Sequence, residues 1–332
     1  MTDQLPIRRA ALLVALSLSM LLAACGGGGG GGAPTASVTS QPTSSPAPTS
    51  TSGTNGTLTT PQYAAGSQEL AAFNQLNAMR QQCGFPALKE NTLLDQAVAN
   101  HFSYMVDNNY YGHYETQGSA GFTGATPQVR DQYAGYSGIL GGEVIGAGQA
   151  TTNGQDLIMG LASLPYHQAL MFEPFTDIGV KFGALSISVN ALVSDMGAAS
   201  PPTYSSAPLT YPCQGTTNAV YQSAAAGESP VPIINGQTVQ FPIGTPVAIV
   251  GNASDTIALS SGTMTDPGGS VINLDLLDSA TDGNHEIASF AAVAFPASPL
   301  QPNTTYNVSL TGTDNGTPFS RNFSFTTGNT AY

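Results

Sequence analysis

Four histidines carry most of the chemistry open to this sequence, and His167 lies in the stretch around which the rest is organised. From Leu161 to Phe182 the residues read as a helix end, a tight loop with Pro165 presenting His167, a helical turn, and a strand. The strand rests on the alternation of Ile178, Val180 and Phe182 with Gly179 and Gly183. An imidazole on a loop between apolar elements can serve as acid, base or metal ligand, provided other groups meet it. The chain holds no Gly-x-Ser-x-Gly and no His-Glu-x-x-His pattern, and nothing singles out Ser163 as a nucleophile beside His167. No catalytic residue is assigned. His101 falls on the apolar stripe of a helix and reads as a hydrogen-bonded core histidine. His285 follows Thr281-Asp282-Gly283-Asn284, a turn signature, and reads as solvated. Glu115, two residues after His113, could be a surface acid or a cleft partner.

The elements that must position these groups are readable nearby. Leu70, Phe73, Leu76 and Met79 recur every three residues and predict a helix over 68–82, ended by Gly84 and Pro86. Leu94, Ala97, Val98, His101, Tyr104 and Met105 predict a second helix over 91–107, with Asn91 as its N-cap. Directly after it comes Asn108-Asn109-Tyr110-Tyr111-Gly112-His113-Tyr114.

With those residues the chain resembles the CAP superfamily, the cysteine-rich secretory, antigen 5 and pathogenesis-related 1 fold, in its bacterial form. The blocks run in order. Leu76-Asn77 with Arg80 comes first, then Ala97 to Met105, Asn108 to His113, and Thr126-Pro127 with Arg130. Gly135-Tyr136, Gly141-Gly142-Glu143-Val144-Ile145, the His167 stretch, Phe175 to Val180, and Ala191 to Gly197 follow. The resemblance implies an α+β fold, an α-β-α sandwich over 67–197, whose central cleft is lined by His113, Glu143 and His167. Two neutral imidazoles and a carboxylate between them could hold Zn²⁺ with an open position. A glutamate could equally orient an imidazole without any metal, or the histidines could serve only a buried hydrogen-bond network. The departures are Val144 where the family has Asn, Leu161 where a Trp is common, and Tyr166 where Gly is usual before the histidine, which could narrow the cleft mouth. A second family acid finds no counterpart between Glu143 and His167, where Asp156 is the sole carboxylate.

Upstream, Arg8 and Arg9 precede an apolar run from Ala10 to Ala24 that ends Leu22-Ala23-Ala24-Cys25. The run is too short for a membrane span and reads as a signal segment over 1–24. Its close resembles a lipobox, which implies acylation of Cys25; Gly26 after it points to the outer membrane of a Gram-negative bacterium. Residues 25–66 are Gly, Ser, Thr, Pro and Ala with almost no apolar mass, a disordered tether. Without residues 1–24 the chain keeps 5 basic against 19 acidic groups, a balance that disfavours nucleic acid and anionic lipid as partners. With Cys25 lipidated, Cys83 and Cys213 remain, either as one disulfide or as two separate buried thiols.

Residues 198–230, rich in Pro, Ser, Ala and Thr, read as a connector. Over 231–328 the period changes to two: Val247, Ile249; Ile257, Leu259; Ile272, Leu274, Leu276; Ala291, Val293, Phe295; Tyr306, Val308, Leu310; Phe323, Phe325. Turn signals at Pro267-Gly268-Gly269, Asp282-Gly283-Asn284 and Asp314-Asn315-Gly316 separate them, as in an all-β sandwich. Leu300 to Tyr306 and Phe323 to Thr327 resemble the closing hairpin of bacterial immunoglobulin-like domains, which implies a spacer or adhesion module. The expectation is thus an exported, lipid-anchored CAP protein that binds a small apolar molecule, a peptide or an envelope component without turnover. The alternatives are a Zn²⁺-dependent hydrolase using the same three residues, and an envelope spacer with a vestigial cleft.

Overall fold

The computed structural model describes residues 56–332; Cys25, the signal segment and all but the last residues of the tether lie outside them. Helix α1 (Gln68–Gln82) starts where the Ser67 side chain accepts from Leu70 N, and α2 (Thr92–Asp107) where Asn91 accepts from Leu93 N and Leu94 N. Both caps satisfy backbone donors that have no partner within the helix. A four-stranded sheet follows the order β1 (Lys89–Glu90), β3 (Asp177–Ser186), β4 (Val189–Ala198), β2 (Leu140–Gln149).

Alternation along these strands sorts the helices to two faces. Ile145, Ala191 and Val193 meet Val98, Phe102 and Met105 of α2. Val144, Ile178, Val180, Leu192 and Met196 belong to the opposite core, with Phe73, Leu76 and Met79 of α1 and Leu157, Ile158 and Leu161 of α4 (Gly154–Leu161). The result is a three-layer α-β-α arrangement. Gly179 marks how close α2 lies, because a Cβ there would overlap the backbone of Leu94 and Asp95. Short helices α3 (Pro127–Tyr133) and α5 (Pro165–Met171) complete this half.

His167 does not sit on a loop, as the sequence suggested, but in the first turn of α5. The start of that helix is hidden in sequence because its N-cap is Leu164, which has no side-chain acceptor. Arg80 then fixes the chain leaving α5. It is fully buried and donates to the carbonyls of Pro86, Met171, Glu173 and Phe175.

The remaining chain is rich in β-structure. A seven-stranded sheet has the order β13 (Thr317–Thr326), β12 (Thr305–Asp314), β9 (Ile257–Thr265), β10 (Val271–Asp278), β11 (Ala291–Pro296), β8 (Val247–Val250), β5 (Leu209–Tyr211). A small hairpin, β6 (Ile233–Ile234) with β7 (Gln237–Thr238), stands apart from it. Strand β10 changes partner midway: Val271 to Asn273 pair with β9, Leu274 to Asp278 with β11. The two halves of the sheet share one core, built from Val247, Ile249, Met264, Ala292, Ala294, Tyr306, Val308, Leu310 and Phe325.

The face assignment of β11 differs from the sequence reading. Ala291, Val293 and Phe295 turn away from that core and join the one containing α5, together with Ala248 and Val250. Ala292 and Ala294 take the inner face instead. All residues of β8 and β11 are buried, since α5 covers one face and the folded sheet the other. Covered on both sides, a strand carries no polar face, so alternation cannot tell which side is which. A disulfide joins Cys83, the C-cap of α1, to Cys213 just after β5.

Candidate functional site

His113, Glu143 and His167 are brought together from three separate elements. His113 lies on the loop between α2 and α3, Glu143 on β2, and His167 in α5. The imidazole rings of His113 and His167 stand with centroids 6.5 Å apart. Glu143 does not lie between them. Its Oε1 meets His113 Nδ1 at 2.9 Å from behind, and its Oε2 accepts from Arg130 Nη2 at 2.6 Å. Arg130, itself fully buried, also donates to the His113 carbonyl at 2.8 Å, so one guanidinium holds both the histidine's backbone and its carboxylate.

His167 has a carboxylate partner that sequence reasoning missed. Glu228 Oε2 lies 2.7 Å from His167 Nδ1, and the Glu228 side chain is fully buried. It comes from the stretch read as a connector, 61 residues after the histidine, so a search for a second acid between Glu143 and His167 could not find it. No local signal marks Glu228. Tyr166 is tied to the same half of the chain, its hydroxyl meeting Asp282 and Asn284.

The other candidates fall outside this face. His101 is buried, with Nδ1 on Glu115 at 2.9 Å and Nε2 on the Gly112 carbonyl at 2.8 Å. Glu115 is neither surface acid nor cleft partner; it also accepts from the backbone of Thr123 and Gly124. His285 is exposed in its turn, and Asp156 sits in the N-cap hydrogen bonds of α4. Ser163 is buried, its hydroxyl donating to the Gly160 carbonyl.

The electrostatics follow from burial. His113 is pushed down to about 4, first by desolvation, then by His167 and Arg130, with Glu286 opposing. It is a neutral acceptor at physiological pH. Burial pushes Glu143 above the ordinary carboxyl range, and Arg130 pulls it back. Behind Glu143 sits Asp195, its Cα partner across β2 and β4, which meets the carboxyl groups of Glu143 and Asp131. Asp195 is held well above its usual range by burial and by Glu143. Asp131 on α3 is pushed up to about 9 by burial and by Asp195.

Each carboxylate is an acceptor only, so a neutral imidazole facing one carries its proton on Nδ1 and leaves the Nε2 lone pair free. Among the described residues none hydrogen-bonds to either Nε2, and no hydroxyl or thiol hydrogen-bonds to His113 or His167. The three-ligand zinc set read from sequence does not fit this geometry. Both Glu143 oxygens are engaged elsewhere, and among the described residues no group of three or more His, Cys, Asp or Glu is placed to hold a metal. What remains is a pair of oriented, partly exposed imidazoles.

Residues 73–183 match the model of the cysteine-rich secretory protein family, CAP. An outer surface protein from Borrelia burgdorferi is similar at 14% identity and a TM-score of 0.35, over 41% of this chain and 95% of that one. An extracellular protein containing an SCP domain from Bacillus anthracis str. Ames is similar at 20% identity and a TM-score of 0.32, over 40% of each chain. No curated protein matches the chain. His113, Glu143 and His167 lie within the matched residues; Glu228 lies beyond them.

Proposed function

On the premise that residues 73–183 form a CAP domain, we propose that this protein is exported, anchored through lipid on Cys25, and binds a ligand on the His113–His167 face without transforming it. The observation that carries the reading is the pairing of two imidazoles, each backed by a buried carboxylate and unbonded at Nε2, with no hydroxyl or thiol among the described residues bonded to either. Covalent catalysis needs a nucleophile within reach of its base. A small molecule, a peptide or an envelope component presented at the cleft meets a preformed face instead. The folded seven-stranded sheet, with its immunoglobulin-like closing hairpin, serves as a spacer or adhesion module. The tether over 25–66 carries both parts away from the outer membrane.

The rival reading is a Zn²⁺-dependent hydrolase at the same residues. Two imidazole nitrogens are fewer protein ligands than the three that catalytic zinc sites use. Zinc chloride titrated calorimetrically at pH 7 into protein purified without a His tag separates the two. The expected result is weak binding, removed by His113→Ala or His167→Ala, and no zinc-dependent hydrolysis of p-nitrophenyl acetate. Tight one-to-one binding with turnover that either change abolishes would overturn the binding reading. Native mass spectrometry of the protein from its own host should show a bound small molecule or peptide that the His113→Ala, His167→Ala double variant lacks. For the anchor, Cys25→Ser should release the protein from membranes. Membrane retention of that variant, with no acyl mass on the wild type, would refute the anchoring.

A further inference from the structure

Helix α5 begins with three deficits. Its N-cap Leu164 offers no acceptor, Pro165 has no N–H, and the first free donors, the N–H groups of Tyr166 and His167, have no partner within the helix. Glu228 meets both. Its Oε1 accepts from Tyr166 N at 3.1 Å and its Oε2 from His167 N at 3.3 Å, while the same Oε2 takes His167 Nδ1 at 2.7 Å. Among the described residues no lysine or arginine pairs with Glu228, whose ion-pair partner is His167. Three N–H donors therefore stabilise this buried carboxylate, two at a helix N-terminus and one on the imidazole.

We propose that Glu228 is a positioning residue of the cleft: by capping α5 and holding His167 as the Nδ1–H tautomer, it makes His167 Nε2 an acceptor, so that with His113 the cleft selects a ligand bearing hydrogen-bond donors. The inference rests on reading this face as a ligand site. A cap alone would need only the two backbone contacts; the third bond, on Nδ1, is the shortest of the three. Glu143 does the same for His113. Two imidazole acceptors facing one ligand offer a carboxylate or phosphate no donor. They suit an ammonium, an amidinium, or a cluster of hydroxyl or amide N–H groups.

The test uses the full chain labelled with ¹⁵N and ¹³C. Long-range imidazole correlations at pH 7.5 read the tautomer without any ligand. Wild-type His167 should show Nδ1–H. Glu228→Gln should keep Nδ1–H, because an amide oxygen in the place of Oε2 still accepts from both His167 N and Nδ1, losing only the Tyr166 contact. Glu228→Ala should give a mixture, and His113 should be unchanged in both. A wild-type Nε2–H or imidazolium signal overturns the proposal, and this reading needs no variant to fold. So does an unaltered His167 in Glu228→Ala when its amide spectrum shows a folded chain. The ligand class is read with benzamidine and benzoate, which share a ring and differ in the sign of the head group. Benzamidine should shift both histidines and benzoate neither, with benzamidine about tenfold or more weaker for Glu228→Ala. Benzoate binding in its place, or neither probe binding, overturns the donor selection. Because the tautomer is read without a ligand, it survives or fails separately from the binding reading itself.

Discussion

Replacing Asp131 by asparagine should make the protein more stable at neutral pH. Asp131 is 5% exposed, its Oδ1 has no donor, and its neighbour Asp195 is a second buried carboxyl. Burial and Asp195 push it up to about 9, so the folded chain keeps a proton there that the unfolded chain loses near pH 4. A carboxyl raised in this way contributes stability fully present below its unfolded value and lost as pH rises toward its folded value. At pH 7 the unfolded group is about 3 pH units past its midpoint, which at about 1.4 kcal/mol per unit sets a ceiling of about 4 kcal/mol. Asparagine cannot ionise, and its NH₂ can donate to Asp195 where the protonated acid did. A gain of about 2 kcal/mol at pH 7 is expected, part of the ceiling being lost to imperfect amide geometry. Urea unfolding with the disulfide intact at pH 4, 5.5 and 7 measures it. The difference between variant and wild type should be near zero at pH 4 and widen with pH. An offset of constant size, or a variant that loses ground as pH rises, would show that Asp131 is ionised in the folded protein.

His113 acts with the opposite sign. Held down to about 4, it contributes stability present above about pH 6.5 and lost as pH falls toward 4. His113→Gln should remove about 2 kcal/mol of that acid-side loss, allowing for a side chain 29% exposed, as read from unfolding curves at pH 7 and 4.5. Cys83→Ser with Cys213→Ser should cost about 2–4 kcal/mol in denaturant unfolding, because the bridge closes a loop spanning 130 residues; an unchanged midpoint would refute it. Phe295→Ala should cost about 3–5 kcal/mol, since the ring is fully buried against the core that holds α5. Gly179→Ala should lower the melting temperature sharply by forcing α2 off β3, and a melt equal to wild type would contradict the close approach.

The parts of this fold that could be read in sequence are those whose determinants are local. Helices α1 and α2 begin and end where periodicity and caps place them, because Ser67 and Asn91 lie next to the donors they satisfy. The hairpin between β12 and β13 turns on Asn315 and Gly316, both with positive φ, as the Asp-Asn-Gly signal requires. Helix α5 escaped because its cap is supplied from Glu228, 61 residues away. The same distance hid the second carboxylate of the site. The inner and outer faces of β11 were exchanged because both are apolar. The run Val247-Ala248-Ile249-Val250 carried a readable hint, since four apolar residues without a break signal a strand covered on both sides. Glu143 was placed in the right cluster but on the wrong side of His113, because its direction depends on Arg130 from α3.

Synthesis runs from the amino end, and the cap on α5 is supplied late. Export, as proposed above, follows the same order: when Phe182 has crossed the membrane the five described helices are across, yet Glu228 has still to follow and Cys213 trails Cys83 by 130 residues. Through that interval the nascent chain holds a helix without its cap, an apolar flank awaiting β8 and β11, and an unpaired thiol. The vulnerable species is therefore a half-emerged chain, and the hazard is oxidation of Cys83 with the wrong partner. Cys25 is the sole competing cysteine in the sequence, and it is made before either of the others. An acyl chain on Cys25, as proposed above, would leave Cys83 no wrong partner within its own chain.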